Sequence, residues 1–71
     1  MAEDRWLYTT DGKPAYYQRE GYVYSAQTHQ CEFFVEDGWF HRMGGGEAAY
    51  YTEDNWVYDL KGKPAYYYDD G

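Results

Sequence analysis

Gly12-Lys13-Pro14-Ala15-Tyr16-Tyr17 returns letter for letter as Gly62-Lys63-Pro64-Ala65-Tyr66-Tyr67. In both copies a Trp-apolar-Tyr triplet, Trp6-Leu7-Tyr8 or Trp56-Val57-Tyr58, starts six residues before the glycine. Two drifted copies fill the space between. The internal period divides the chain into a polar lead-in, 1–5, and one domain, 6–71, of four units: 6–21, 22–38, 39–55 and 56–71. The first column of the repeat is Trp6, Tyr22, Trp39, Trp56, the second Leu7, Val23, Phe40, Val57, and the third Tyr8, Tyr24, His41, Tyr58. Further on, Ala15, Cys31, Ala48, Ala65 align as small residues, followed two places later by Tyr17, Phe33, Tyr50, Tyr67. Each unit closes on an acid and Gly or Asn: Glu20-Gly21, Asp37-Gly38, Asp54-Asn55, Asp70-Gly71.

Each unit reads as a β-hairpin: a short aromatic and β-branched run, a polar turn, then a second aromatic run. Asp11-Gly12 is a strong turn signal, because glycine takes positive φ without steric cost. Pro14 and Pro64 follow the turns and open the second strands, where a missing N–H is tolerated. The closing acid-Gly and acid-Asn pairs are turn signals as well. No 3.6-residue stripe runs ten residues, which excludes substantial helix. Unit two has Ser25-Ala26-Gln27-Thr28-His29-Gln30 in place of the turn glycine, and unit three has Gly44-Gly45-Gly46.

Period two in a strand places Leu7, Ala15, Tyr17 and their equivalents on one face, with Trp6 and Tyr8 on the other. On that reading the small-residue column lets four copies approach near an axis. Pairing the last strand with the first would leave no bare edge. The fold class expected is therefore all-β: a closed, shallow barrel of four antiparallel β-hairpins with pseudo-four-fold internal symmetry.

Composition narrows the function. A single cysteine among 71 residues excludes an internal disulfide framework. Eleven tyrosines and three tryptophans can still build a core, since each buries a large apolar area and keeps a polar tip. A net charge of −7 argues against nucleic-acid and anionic membrane partners, both of which call for clustered Lys and Arg. Met1-Ala2-Glu3-Asp4-Arg5 does not read as a signal peptide and no apolar run approaches membrane length, so a cytoplasmic location is expected.

The run Trp56-Val57-Tyr58-Asp59-Leu60-Lys61-Gly62-Lys63-Pro64-Ala65-Tyr66, its counterpart from Trp6 and the four-fold repetition resemble the four-fold β-flower family of small bacterial proteins. The resemblance covers residues 6 to 71. It implies a shallow, square barrel with hairpin petals and an apolar centre, and it carries over no catalytic residue. Unit two departs from the pattern at Cys31 and at its missing turn glycine. A weaker likeness is to the aromatic repeats of choline- and glucan-binding cell-wall modules, whose longer repeats form open solenoids.

Trp6, Tyr22, Trp39 and Trp56, with Tyr8, Tyr24, His41 and Tyr58 beside them, are the candidate ligand-binding residues. Aromatic faces around a four-fold axis could cage a flat or cationic ligand, with Glu20, Asp37, Asp54 and Asp70 favouring positive charge. The plainer account makes the same rings core or interface. His29, Cys31 and His41 lack the four-ligand spacing of a structural metal site, and Cys31 at an alanine position reads as a small filler. Gly44-Gly45-Gly46-Glu47 lacks the Lys-Ser/Thr ending of a phosphate loop. No catalytic residue, metal ligand or cofactor is assigned. The chain is expected to be a non-enzymatic small binding module holding an apolar or cationic ligand. The alternative is an assembly protein whose aromatic face mediates homo-oligomerisation or partner docking. Self-association is expected in either case, because a disc with aromatics on both faces exposes apolar surface.

Overall fold

The computed structural model describes residues 4–69, so Asp70-Gly71 and the first three residues of the lead-in lie outside the described residues. Its eight strands are β1 (Arg5–Thr9), β2 (Pro14–Arg19), β3 (Tyr22–Ser25), β4 (Cys31–Glu36), β5 (Trp39–Arg42), β6 (Ala48–Glu53), β7 (Trp56–Asp59) and β8 (Pro64–Tyr68). Each pairs antiparallel with the next, and β8 returns to β1 through Leu7↔Tyr68, Tyr8↔Tyr67 and Thr9↔Tyr66. The sheet is a closed barrel of four hairpins, as the repeat implied. Pro14 and Pro64 each open a strand.

Two kinds of connection alternate. Between hairpins the chain turns on two residues, Glu20-Gly21, Asp37-Gly38 or Asp54-Asn55. Glu20, Asp37 and Asp54 take φ of 57°, 55° and 57°, and Gly21 and Gly38 follow at 95° and 84°. In the first two of these turns both central residues have positive φ, the geometry whose twist matches the flanking strands. Within hairpins the loops are longer. Gly12 and Gly62 supply positive φ in the first and fourth loops, and Gly44 and Gly46 in the third. In the glycine-free second loop His29 takes φ 64°, and its N–H donates to Ser25 O as the Gly46 N–H donates to Arg42 O.

The register corrects the columns read from the sequence. Tyr8, Tyr24, His41 and Tyr58 pair with Pro14, Cys31, Ala48 and Pro64. One place inward, Leu7, Val23, Phe40 and Val57 pair with Tyr16, Phe33, Tyr50 and Tyr66. A residue is skipped each time: Ala15, Glu32, Ala49 and Ala65 are bulges at the same place in all four hairpins. The loops of hairpins two and three are one residue longer than those of one and four, so Cys31 and Ala48 match Pro14 rather than Ala15. Of the small-residue column, Ala15 and Ala65 are therefore bulges, where the strand bends and twists to close the barrel, while Cys31 and Ala48 are paired one place before theirs. They do not form a column of close approach at the axis.

In hairpins one and four the bulge also reverses the expected faces, whereas Phe33 and Tyr50 lie inside with Val23 and Phe40 as expected. Leu7 shares the interior with Tyr16, whereas Tyr17 pairs with Trp6 on the outside. Leu7, Val23 and Val57 are fully buried and Phe40 is 1% exposed. Beyond them, towards the long loops, Tyr16, Phe33, Tyr50 and Tyr66 close a ring on themselves. Successive centroids stand 5.7, 5.7, 5.6 and 5.3 Å apart at interplanar angles of 73°, 82°, 74° and 85°. Edge-to-face contact is the favoured arrangement of aromatic quadrupoles, and four rings can satisfy it around one axis. At the opposite end Tyr68 is buried, and its hydroxyl donates to Gln18 Oε1 at 2.6 Å.

Candidate functional site

Alternation along the strands sends Trp6, Tyr22, Trp39 and Trp56 outward. They remain 38%, 47%, 43% and 41% exposed, and among the described residues no ring contact joins one of the four to another. They do not gather round the axis as a cage. Each packs against its own hairpin instead: Trp6 on Tyr17 at 5.3 Å, Trp39 on Tyr51 at 5.6 Å and Trp56 on Tyr67 at 5.6 Å, while Tyr22 pairs across the strands with Phe34. The other sequence candidates stack on the far side of those same partners. Tyr24 lies on Tyr17, His41 on Phe34, Tyr58 on Tyr51 and Tyr8 on Tyr67, with centroids 5.0–5.7 Å apart and planes within 13–23°.

The outer wall thus carries four aromatic triads, each bridging one hairpin to the next. Of their central members, Tyr17 and Tyr67 were expected on the inner face, and Phe34 and Tyr51 were not singled out from the sequence. The signal that finds them is the extra loop residue in units two and three, which fixes where the bulge falls. Three of these central rings also lean on the loop of the following hairpin. The Tyr17 hydroxyl and His29 Nδ1 are hydrogen-bonded at 3.2 Å. The Tyr67 and Tyr51 hydroxyls lie against Gly12 and Gly62, each 3.8 Å from where a β-carbon would stand.

Charge sits at the short-turn end of this wall. The ladder, carried on by Val35 N–H to Gly21 O, Thr52 N–H to Gly38 O and Tyr68 N–H to Asn55 O, sets Glu20 opposite Glu36, Asp37 opposite Glu53 and Asp54 opposite Asp69. In hairpin one the same station holds Asp4 and Arg19. There the guanidinium donates two hydrogen bonds to the carboxylate, at 2.9 and 3.0 Å. The Arg19 hydrogen bonds hold the Asp4 carboxyl below the usual carboxylate range. Two open grooves cross the wall of hairpins two and three. One, of about 430 Å³, is lined by Glu36, Asp37, Trp39, His41 and Ala48. The other, of about 440 Å³, runs past Glu20, Tyr22, Phe34, Glu36 and Met43.

The inner ring has different chemistry. Burial raises the phenols of Tyr16, Tyr50 and Tyr66 above their ordinary range. Phe33 takes the fourth place without a hydroxyl. The ring fills the barrel axis.

His29, Cys31 and His41 do not converge. His29 meets Tyr17, Cys31 Sγ faces the Phe33 carbonyl at 3.5 Å, and His41 Nδ1–H donates to the Gly46 carbonyl at 3.0 Å. Among the described residues no group of three His, Cys, Asp or Glu side chains could hold a metal ion. No helix among them is long and apolar enough to cross a membrane. No protein-family model matches the chain, and no match was found among curated proteins or solved structures.

Proposed function

We propose that the protein is a non-enzymatic interaction module that docks a partner through its aromatic outer wall. The observation that carries this reading is the contrast between inner rings packed edge-to-face on one another and four triads that each leave one outward aromatic exposed. A ligand caged at the axis would need the space that Tyr16, Phe33, Tyr50 and Tyr66 occupy. A partner on the wall needs only rings already presented and held by their neighbours. Exposed aromatics clustered with a polar rim are the usual material of interaction surfaces. Docking to a second copy and docking to another protein are both forms of this function. Membership of the β-flower family and a cytoplasmic location belong to the same proposal, on the repeat pattern and the single free cysteine respectively.

The test is a residue-resolved NMR titration with short basic, neutral and acidic peptides and with small organic cations, run alongside sedimentation of the free protein. Indole resonances of Trp39 and Trp56 should move with at least one peptide class or with protein concentration, and Trp39→Ser should weaken the response. A small ligand that shifts Tyr16, Phe33 and Tyr66 and leaves every indole in place would overturn the reading. So would a strictly monomeric protein whose indoles answer to nothing.

A further inference from the structure

The wall has four stations at equivalent places in the ladder: Asp4 stands in the lead-in to β1, whereas Glu20, Asp37 and Asp54 sit at left-handed turn positions. At each, an outward aromatic (Trp6, Tyr22, Trp39 or Trp56) is followed along the ladder by two residues that the backbone register sets across from each other. In hairpin one these are Asp4 and Arg19, joined by two hydrogen bonds at 2.9 and 3.0 Å, with the Arg19 Cζ 5.8 Å from the Tyr17 ring centroid. In the other three hairpins both are acids: Glu20 with Glu36, Asp37 with Glu53, and Asp54 with Asp69. Three of the stations gather negative charge, and the fourth brings a guanidinium onto a carboxylate.

We infer that the three acidic stations dock arginine side chains of a basic partner chain, and that Arg19 is the chain's own occupant of the fourth. The inference rests on the wall-docking reading and names the partner's chemistry. The first station displays the geometry: a planar guanidinium, forked on a carboxylate and set beside aromatic rings. Arginine suits such a site better than lysine, since it binds carboxylates in pairs of hydrogen bonds and stacks on aromatic faces. The grooves over Trp39 and Tyr22 give the incoming side chains room, share Glu36 and are lined by no Lys or Arg. A bound metal does not explain the acids, for they form no group of three among the described residues. A second copy is a poor occupant, because two chains of charge −7 repel.

A synthetic Arg-Gly repeat peptide, with Lys-Gly, Ser-Gly and Glu-Gly repeats as controls, provides the experiment. In wild type the Arg-Gly peptide should shift the Trp39 and Trp56 indoles and the Tyr22 ring ahead of the Trp6 indole, and raising the salt should weaken it. Neutralising one pair, as in Glu20→Gln with Glu36→Gln, should cost about two- to five-fold in affinity, the scale of an exposed ion pair. Arg19→Glu builds a fourth acidic station. It should tighten binding by a similar factor and bring the Trp6 indole into the response, with Arg19→Gln falling between. Circular dichroism of each variant confirms that the barrel is intact. The inference fails if Arg19→Glu binds no better than wild type, if the Glu-Gly peptide binds as well, or if dilution alone moves the indoles, which makes the occupant a second copy. Indoles that follow the Ser-Gly but not the Arg-Gly peptide sink the arginine assignment and leave wall docking standing. Silence towards every peptide and dilution sinks both.

Discussion

Tyr16 and Tyr17 are neighbours in the chain and opposites in the molecule. Tyr16 stands edge-to-face between Phe33 and Tyr66 inside the barrel, and Tyr17 lies flat on Tyr24 outside it. The same division runs round all four hairpins. Inside, the rings meet at 73–85° and close on one another, so that every ring is committed to packing. Outside, near-parallel stacks at 13–23° leave the Trp or Tyr at the end of each triad exposed. One aromatic-rich sequence serves two purposes, and the strand parity decides which ring serves which. The inner set should therefore set stability and the outer set recognition.

The sharpest way to break that division compares two adjacent residues. Phe40 is 1% exposed and Trp39 is 43% exposed. Phe40→Ala should cost about 3–5 kcal/mol, the range for emptying a buried aromatic position, which a 71-residue barrel can scarcely survive. Trp39→Ser should cost about 1 kcal/mol, the worth of its packing on Tyr51. Urea denaturation followed by circular dichroism measures both. Equal losses would mean that the outer wall is structural.

The hydroxyls of the inner ring offer the next test. Tyr66→Phe keeps the ring and removes one of its three partly buried hydroxyls. The expected loss is about 0.5–1 kcal/mol, the low end for a polar group that is only partly buried. Unchanged stability would mean that the edge-to-face packing alone holds the ring.

Alkaline titration reads the same ring without mutation. Burial raises the Tyr16, Tyr50 and Tyr66 phenols above the ordinary 10.0, so the folded protein holds these protons more tightly than the unfolded chain does. The stability linked to them is fully present below the unfolded value and is lost as pH rises from there through the folded values. Phenolate absorbance against pH should show a late fraction coupled to unfolding, and Tyr66→Phe should shrink it. A single early step, complete while the barrel is still folded, would remove the claim that these phenols are protected.

How far the sequence carried the fold depends on where the chain counts regularly. The hairpins, their bounds and the closure of the barrel follow from Asp11-Gly12, the two prolines and the acid-Gly turns, all local chemistry. The register did not, because it depends on which residue is skipped. Ala48-Ala49 offers two alanines for one position, and Cys31-Glu32 hides the bulge under a charged residue. A one-residue slip moves every side chain to the opposite face. That slip put Tyr17 and Tyr67 on the inner face in place of Tyr16 and Tyr66, while Phe33 and Tyr50 were placed correctly. The candidates on the first strand of each hairpin, ahead of the bulge, were placed on their correct face, and only their supposed convergence at an axis was wrong. The acid pairs were invisible for a related reason: Glu20 and Glu36 become partners only once the register is known.

The smallest effect concerns the loop that supports one triad. His29 sits at φ 64° where the third hairpin has Gly46 at 80°, and it is hydrogen-bonded to the Tyr17 hydroxyl at 3.2 Å. A left-handed backbone costs a side-chain-bearing residue about 1–2 kcal/mol. His29→Gly removes that strain, yet it gives up the hydrogen bond, about 0.5–1.5 kcal/mol, and frees the unfolded chain by about 0.4–1 kcal/mol. These terms nearly cancel, so His29→Gly should unfold within about 0.5 kcal/mol of wild type. His29→Ala keeps the strain and loses the bond, and should be about 1 kcal/mol less stable than wild type. The gap between the two variants isolates the backbone from the side chain. Alanine and glycine of equal stability would mean that the left-handed turn costs nothing there. A large loss in both would mean that the Tyr17 contact anchors the triad, making the outer wall of that hairpin part of what keeps the barrel folded.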